Sequence, residues 1–281
     1  MSNAYEKTEP VETLRARRIS ATESGEREVL AESVGVVVEA PLIIDVEGIE
    51  NYTLLCTPID TKELAVGFLL TEGILEDTSQ IAHLEHCEDA PGTIRVRLTG
   101  AVPKIGDPSR NLLIVSSCGA CGTEDLESRV QALPRVRDTL RVDSGVLRLA
   151  HAALSSRQIL FERCGGTHAV GIFDASGTMS ASAEDAGRHN ALDKAIGKCL
   201  LQGVPTTGSA AALSGRVSLE MVSKCARAGI ELISAISAPT TLAIEVADRC
   251  GITLCAFVRE QRATIFTHPE RVTGGPPAES A

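Results

Sequence analysis

The sequence predicts an α/β fold with a strand-rich first half and a second half in which strands and helices alternate. Three observations lead there. β-branched runs punctuated by turn residues dominate residues 34–57, and from His168 onward short apolar runs alternate with segments of helical period. Hydrophobic residues make up 43% of 281 positions, enough to bury a sizeable core or two.

Taken in order, residues 1–28 are charged, with Arg15, Arg17 and Arg18 among glutamates, and read as a loosely ordered arm. Val34 to Val38, Leu42 to Val46 and Asn51 to Thr57 read as strands of an antiparallel sheet, with Glu39-Ala40-Pro41 between the first two. Asp60 followed three residues later by Glu63 is a helix-start signal. Leu64, Phe68 and Leu69 keep helical spacing, and Gly73 stops a helix over Thr61 to Glu72. Strands follow at Thr93 to Leu98 and Leu112 to Val115, and a helix at Leu126 to Leu133. Arg135 to Val146 is the expected linker.

Beyond the linker, strands are expected at His168 to Phe173, Ala210 to Leu213, Leu232 to Ile236, Thr253 to Val258 and Ala263 to Thr267. Helices are expected at Arg188 to Leu201, Leu219 to Ala228 and Thr240 to Cys250. In the first of these helices Leu192, Ala195, Ile196, Cys199 and Leu200 form one buried stripe. Such alternation predicts a sheet covered by helices, with ligands at the loops beyond the strand ends. The expected organisation is the arm over 1–28, an α+β region over 29–134, an α/β region over 147–272 and a flexible tail over 273–281.

Composition narrows the function. A net charge of -10 opposes a phosphate-tracking surface, and 2% aromatic residues leave few stacking platforms, so no nucleic-acid partner is expected. No apolar run approaches the roughly 18 residues of a spanning helix, and no secretory signal pattern opens the chain. Nine cysteines, unevenly spaced and several of them inside apolar segments, fit a reducing cytoplasm and not a disulfide scaffold.

The chemistry concentrates in Ser116-Ser117-Cys118-Gly119-Ala120-Cys121-Gly122, where two thiols two residues apart sit among small residues just after a strand-like run. A thiolate on such an open loop can attack a donor persulfide, keep the outer sulfur and carry it onward, while the second thiol tunes, protects or resolves it. A CxxC is also half a zinc site or a simple dithiol couple. No second CxxC, HxxxH or CxxH completes a zinc site, so no metal is expected, and Ser117 precedes the pair where the zinc-deaminase pattern has proline. Three polar loops, Cys164-Gly165-Gly166-Thr167-His168, Glu184-Asp185-Ala186-Gly187-Arg188-His189-Asn190 and Ser214-Gly215-Arg216-Val217-Ser218, add up to a site for an anion of nucleotide size. Taken singly, each reads equally as a turn or an ordinary cap, with Asp185 or Ser218 closing a helix start.

The strings TPIDTKELAVGFLLTEGI, SSCGACG, GGTHAV, EDAGRHNALDKAIG, LSGRVSLEMVSKCARAGI, ISAPTTLAIEVADRCGITL and FVREQRATIFTHPERV, in this order over most of Leu55 to Val272, resemble the FdhD family of formate dehydrogenase accessory sulfurtransferases. The resemblance implies a homodimer whose larger domain is a three-layer α/β unit similar to cytidine deaminases, with a smaller α+β N-terminal domain. It implies a sulfurtransferase with Cys118 as the persulfide intermediate and Cys121 as the assisting thiol. A cysteine desulfurase would be the donor and formate dehydrogenase the recipient. The molybdenum bis-molybdopterin guanine dinucleotide cofactor would be the cargo, held by Phe257, Val258, Arg259, Glu260, Gln261 and Arg262. The alternative is a cofactor-binding chaperone whose CxxC acts as a dithiol/disulfide redox lock.

Overall fold

In the computed structural model, which describes residues 8–21, 27–99, 127, 130–260 and 262–274, the chain opens with a hairpin. β1 (Val11–Ala21) and β2 (Arg27–Val37) pair antiparallel, from Val11 opposite Val37 to Ala21 opposite Arg27. Within the stretch expected as a loosely ordered arm, residues 11–21 and 27–28 are therefore strand. Most of the hairpin's side chains are exposed, so no buried alternation marks it in the sequence. Cross-strand pairs such as Leu14–Val34 and Ile19–Val29, with the Arg18–Glu32 ion pair, hold it instead.

Next comes a four-stranded sheet. β3 (Ala40–Val46) pairs antiparallel with β4 (Glu50–Cys56) and parallel with β6 (Thr93–Leu98), which pairs antiparallel with β5 (Ile81–His86). The expected purely antiparallel arrangement therefore holds for β3 and β4, while the run at Val34 belongs to the hairpin. Leu42, Ile44, Val46, Tyr52, Leu54 and Cys56 alternate inward beneath α1 (Thr61–Thr71).

Every residue of α1 from Leu64 to Thr71 is buried, because a second helix, α4 (Arg188–Leu201), covers its other side. The two helices cross on glycines. A Cβ at Gly67 would lie 1.9 Å from the Asp193 carbonyl oxygen, and one at Gly197 would lie 1.9 Å from that of Glu63. Asp60 does not cap α1. It adopts a left-handed conformation with φ 52°, and its carboxylate pairs with Lys198 of α4 at 2.7 Å.

The expected linker is built into the second half. Thr139 and Leu140 donate backbone N–H groups to the buried Glu231 carboxylate at 2.8 Å each, and β7 (Val142–Asp143) pairs with β14 (Val272–Thr273). Two helices with no sequence-based expectation follow, α2 (Ser144–Ser155) and α3 (Ile159–Cys164). Asp143 caps α2 by accepting from the Gly145 N–H at 2.9 Å.

The main sheet contains β8 (His168–Phe173), β9 (Met179–Asp185), β10 (Ala210–Leu213), β11 (Leu232–Ala235), β12 (Thr253–Arg259) and β13 (Arg262–Thr267). Their order is β13-β12-β11-β10-β8-β9, parallel through β10, β11 and β12 and antiparallel at both flanks. Successive residues serve opposite faces. Val170, Ile172, Ala211, Leu213 and Ile233 pack with α4, α5 (Leu219–Arg227) and α6 (Thr241–Cys250), while Ala169, Phe173, Ala210 and Ala212 pack with Leu147, Ala150 and Leu154 of α2. Helices thus cover both faces of a mixed sheet, which is why its inner strands are mostly apolar. Among the described residues no helix is long and apolar enough to cross a membrane.

Candidate functional site

Because β10, β11 and β12 run in one direction, the loops after them share an edge of the main sheet. β8 begins and β9 ends at the same edge, with His168 opposite Asp185. Loops 164–168, 186–188, 214–218, 236–240 and 257–262 therefore collect where open α/β sheets take ligands. The three polar loops of the sequence meet here: a Cβ at Gly215 would lie 3.2 Å from His168 Nδ1 and 3.8 Å from the Cβ of Arg188.

Much of the Glu184 to Lys198 motif is structural. Glu184 accepts from the N–H groups of Leu160 and Phe161 and from the Thr167 hydroxyl, all at 2.8 Å, which closes the start of α3. Asp185, fully buried, accepts from the N–H of Thr57 at 3.0 Å, the N–H of Gly187 at 2.8 Å and Asn190 Nδ2 at 3.1 Å, and pairs with the buried Lys194 at 2.6 Å. A second buried pair, Lys224 with Asp193 at 2.8 Å, adds Glu72 and Thr71 of the first half. Burial opposes the Lys224 charge, but Asp193 and Glu72 more than offset this and hold the ammonium above its ordinary range. Neither Gly187 nor Ser218 supplies a side-chain cap to the helix it precedes; the Ser218 hydroxyl donates to Glu220 at 3.3 Å instead.

The segment named for cofactor binding divides in its packing. Val258 is core, whereas the Phe257 ring is 39% exposed and tilts against Phe266 at 6.3 Å between centroids. Phe257 holds φ 54° where the β12–β13 register shifts, an unusual conformation for a bulky residue and a candidate for strain kept at a functional edge. Arg259 donates to the Ile236 carbonyl at 2.6 Å and makes no ion pair among the described residues; Glu260 and Arg262 are exposed. Gln261 lies outside the described residues. On the opposite face of the sheet, His151 of α2 sits 2.9 Å from Ser234 Oγ, and burial, assisted by Arg259, pulls its pKa down to about 4.

Cys118 and Cys121 also lie outside the described residues, as do the expected strand at 112–115 and part of the helix at 126–133. The described thiols bear on them indirectly. Cys56, Cys199, Cys225, Cys250 and Cys255 are buried, and burial pushes Cys199 up to about 11 and Cys255 up to about 12, with Cys225 and Cys250 also raised. The last four stay protonated at neutral pH and are poor nucleophiles. Cys87 and Cys164 are partly exposed; Cys164 donates to the Leu160 carbonyl at 3.0 Å.

A family model described as FdhD/NarQ matches residues 37–273, the hairpin's last residue through β14. The chain belongs to the FdhD/NarQ family. Among its relatives, the sulfur carrier protein FdhD of Thermoplasma acidophilum is 36% identical over 249 residues, covering 86% of this chain and 88% of the relative. That of Mycolicibacterium paratuberculosis is 38% identical over 267 residues, covering 91% and 97%. The fold is shared with the crystal structure of a protein from Desulfotalea psychrophila described as a formate dehydrogenase accessory protein. It superposes with a TM-score of 0.72 at 24% identity over 93% of this chain and 99% of that one. The FdhD/NarQ match thus spans both the α1–α4 junction and the loop edge, as well as the CxxC segment.

Proposed function

We propose that this chain is a sulfur carrier that loads Cys118 with persulfide sulfur and delivers it for formate dehydrogenase maturation. The observation that carries the reading is the family match across residues 37–273, which contains Cys118-Gly119-Ala120-Cys121 in a chain whose core thiols are held protonated by burial. The Cys118 thiolate attacks the outer sulfur of a persulfide on a cysteine desulfurase. The donor S–S bond breaks, and the desulfurase cysteine leaves as a thiolate. Attack of Cys121 on Cys118 Sγ then forms the Cys118–Cys121 disulfide and releases the outer sulfur, reduced by two electrons, as sulfide.

The recipient in this reading is the molybdenum bis-molybdopterin guanine dinucleotide cofactor destined for formate dehydrogenase, held as cargo at the Phe257–Arg262 edge. An exposed aromatic ring and two arginines without ion pairs among the described residues suit a planar base and phosphates. A cytidine-deaminase-like arrangement of the larger unit, consistent with helices on both sheet faces, a homodimeric assembly and a cytoplasmic location complete the proposal. Intact mass after incubation with a cysteine desulfurase and cysteine tests it. One added sulfur is expected on the wild type and on Cys121→Ser, and none on Cys118→Ser; equal loading of Cys118→Ser overturns the assignment.

A further inference from the structure

Two guanidinium groups and one imidazole, from three loops, meet at the loop edge. Arg188 opens α4, Arg216 lies between β10 and α5, and His168 begins β8. Arg188 Nε is wholly buried and has no hydrogen-bond partner among the described residues. Arg216 is exposed and His168 half-buried, and neither makes a hydrogen bond or ion pair among the described residues. A buried donor left unsatisfied costs about 1–3 kcal/mol, and native structures rarely retain one without a role.

The nearby carboxylates are hydrogen-bonded to other groups, although Arg188, after His189, does help to hold the Glu220 carboxyl below its ordinary range. Asp185 is occupied by Lys194, Thr57, Gly187 and Asn190, while Glu220 takes His189 at 2.9 Å and the Ser218 hydroxyl. The field at the loop edge is therefore positive: after burial, Arg188, His189 and Arg216 are what lower the His168 pKa, with only Asp185 opposing. The N-termini of α4 and α5, both without a side-chain cap, bring further positive partial charge to the same place. Gly215 lets the loop close on the imidazole, because a Cβ there would lie 3.2 Å from His168 Nδ1.

We propose that His168, Arg188 and Arg216 form a binding site for a tetrahedral oxyanion, specifically a phosphoryl group of a nucleotide-type ligand. Its identification with the cargo rests on the function proposed above; the anion site itself does not. Such a dianion supplies acceptors to the two guanidinium groups, offsets the positive field at the edge and favours protonation of His168. In the sheet order, β8 is separated from β12 by three strand spacings, roughly 14 Å, so the cluster and Phe257 would engage different parts of one extended ligand.

Pyrophosphate and GDP are the probes, followed by calorimetry and by NMR titration of the His168 imidazole. Pyrophosphate is expected to bind the full chain and raise the His168 pKa. Arg216→Gln, at an exposed position, should lower pyrophosphate affinity about tenfold, and Arg188→Gln combined with Arg216→Gln by about 100-fold or more. Absence of pyrophosphate binding by the wild type, equal binding by folded Arg216→Gln, or an unmoved His168 pKa overturns the site. Loss of pyrophosphate binding in the Arg188 and Arg216 variants alongside full sulfur loading of Cys118→Ser would keep the anion site and remove the sulfur-carrier reading. The reverse pattern would do the opposite.

Discussion

Replacing Gly197 by alanine sets a local gain against a packing loss, and the structure decides which wins. In a helix interior, alanine is favoured over glycine by about 0.5–1 kcal/mol. The new Cβ, however, would stand 1.9 Å from the Glu63 carbonyl oxygen, about 1.5 Å inside ordinary contact, and its neighbour is backbone, not a side chain able to swing away. α1 and α4 must separate, which costs roughly 1–3 kcal/mol as overpacking. Separation also stretches the bonds that cross the junction, Thr57 to Asp185 at 3.0 Å and Thr71 to Asp193 at 2.8 Å, each worth about 1 kcal/mol. The net expectation is a loss of about 2–4 kcal/mol, seen as a lower urea midpoint at unchanged m value. Gly67→Ala should behave alike, and the double variant should lose less than the sum, because the first separation relieves the second. An unchanged or higher midpoint for Gly197→Ala would refute the glycine crossing.

Three further outcomes are expected. Lys194→Met leaves the fully buried Asp185 without its countercharge and should cost about 3–5 kcal/mol by denaturant titration, partly recovered when Asp185→Asn is added. His151 must be neutral in the folded state, with a pKa of about 4, so its contribution is complete above the unfolded value near 6.5 and is lost as pH falls between the two; stability should drop by about 3 kcal/mol over that window, and His151→Gln should flatten the slope. Arg259→Ala with Arg262→Ala should weaken GDP binding by about one to two orders of magnitude in calorimetry, and unchanged binding would remove the segment from the nucleotide site.

What was legible in the sequence follows the strength of its periodicity. α4 spans Arg188–Leu201 and β8 spans His168–Phe173 as expected, because an apolar stripe or a β-rich run between turns marks each. β9 escaped because its buried apolar residues are Ala181 and Ala183, and alanine carries little strand signal. α2 had a readable stripe, Leu147, Ala150, His151 and Leu154 at i, i+3, i+4 and i+7, with Asp143 as its cap, and a charged approach segment obscured it. The meeting of the three polar loops was legible from the strand-end rule. Which of their residues remain unpartnered was not, since Asp185 and Arg188 look equally available in sequence and differ only in what the rest of the chain brings to them.

That difference explains why one motif carries both structure and site. Buried ion pairs such as Asp185–Lys194 add little net stability over an apolar pair of the same volume, because desolvation offsets their attraction. What an apolar pair cannot do is hold direction. Asp185 binds Thr57 of the first half with one oxygen, and with the other it binds the Gly187 N–H and Asn190 at the start of α4. The loop that ends in Arg188 is thereby fixed by the same carboxylate that fastens α4 against the chain entering α1. A guanidinium with a buried, unpartnered Nε stays in place only if its backbone is held from elsewhere, and the acid three residues before it holds that backbone. The polar density of Glu184 to Lys198 thus divides into an anchoring set facing the first half and a cationic set facing the loop edge, and the position of the second depends on the first.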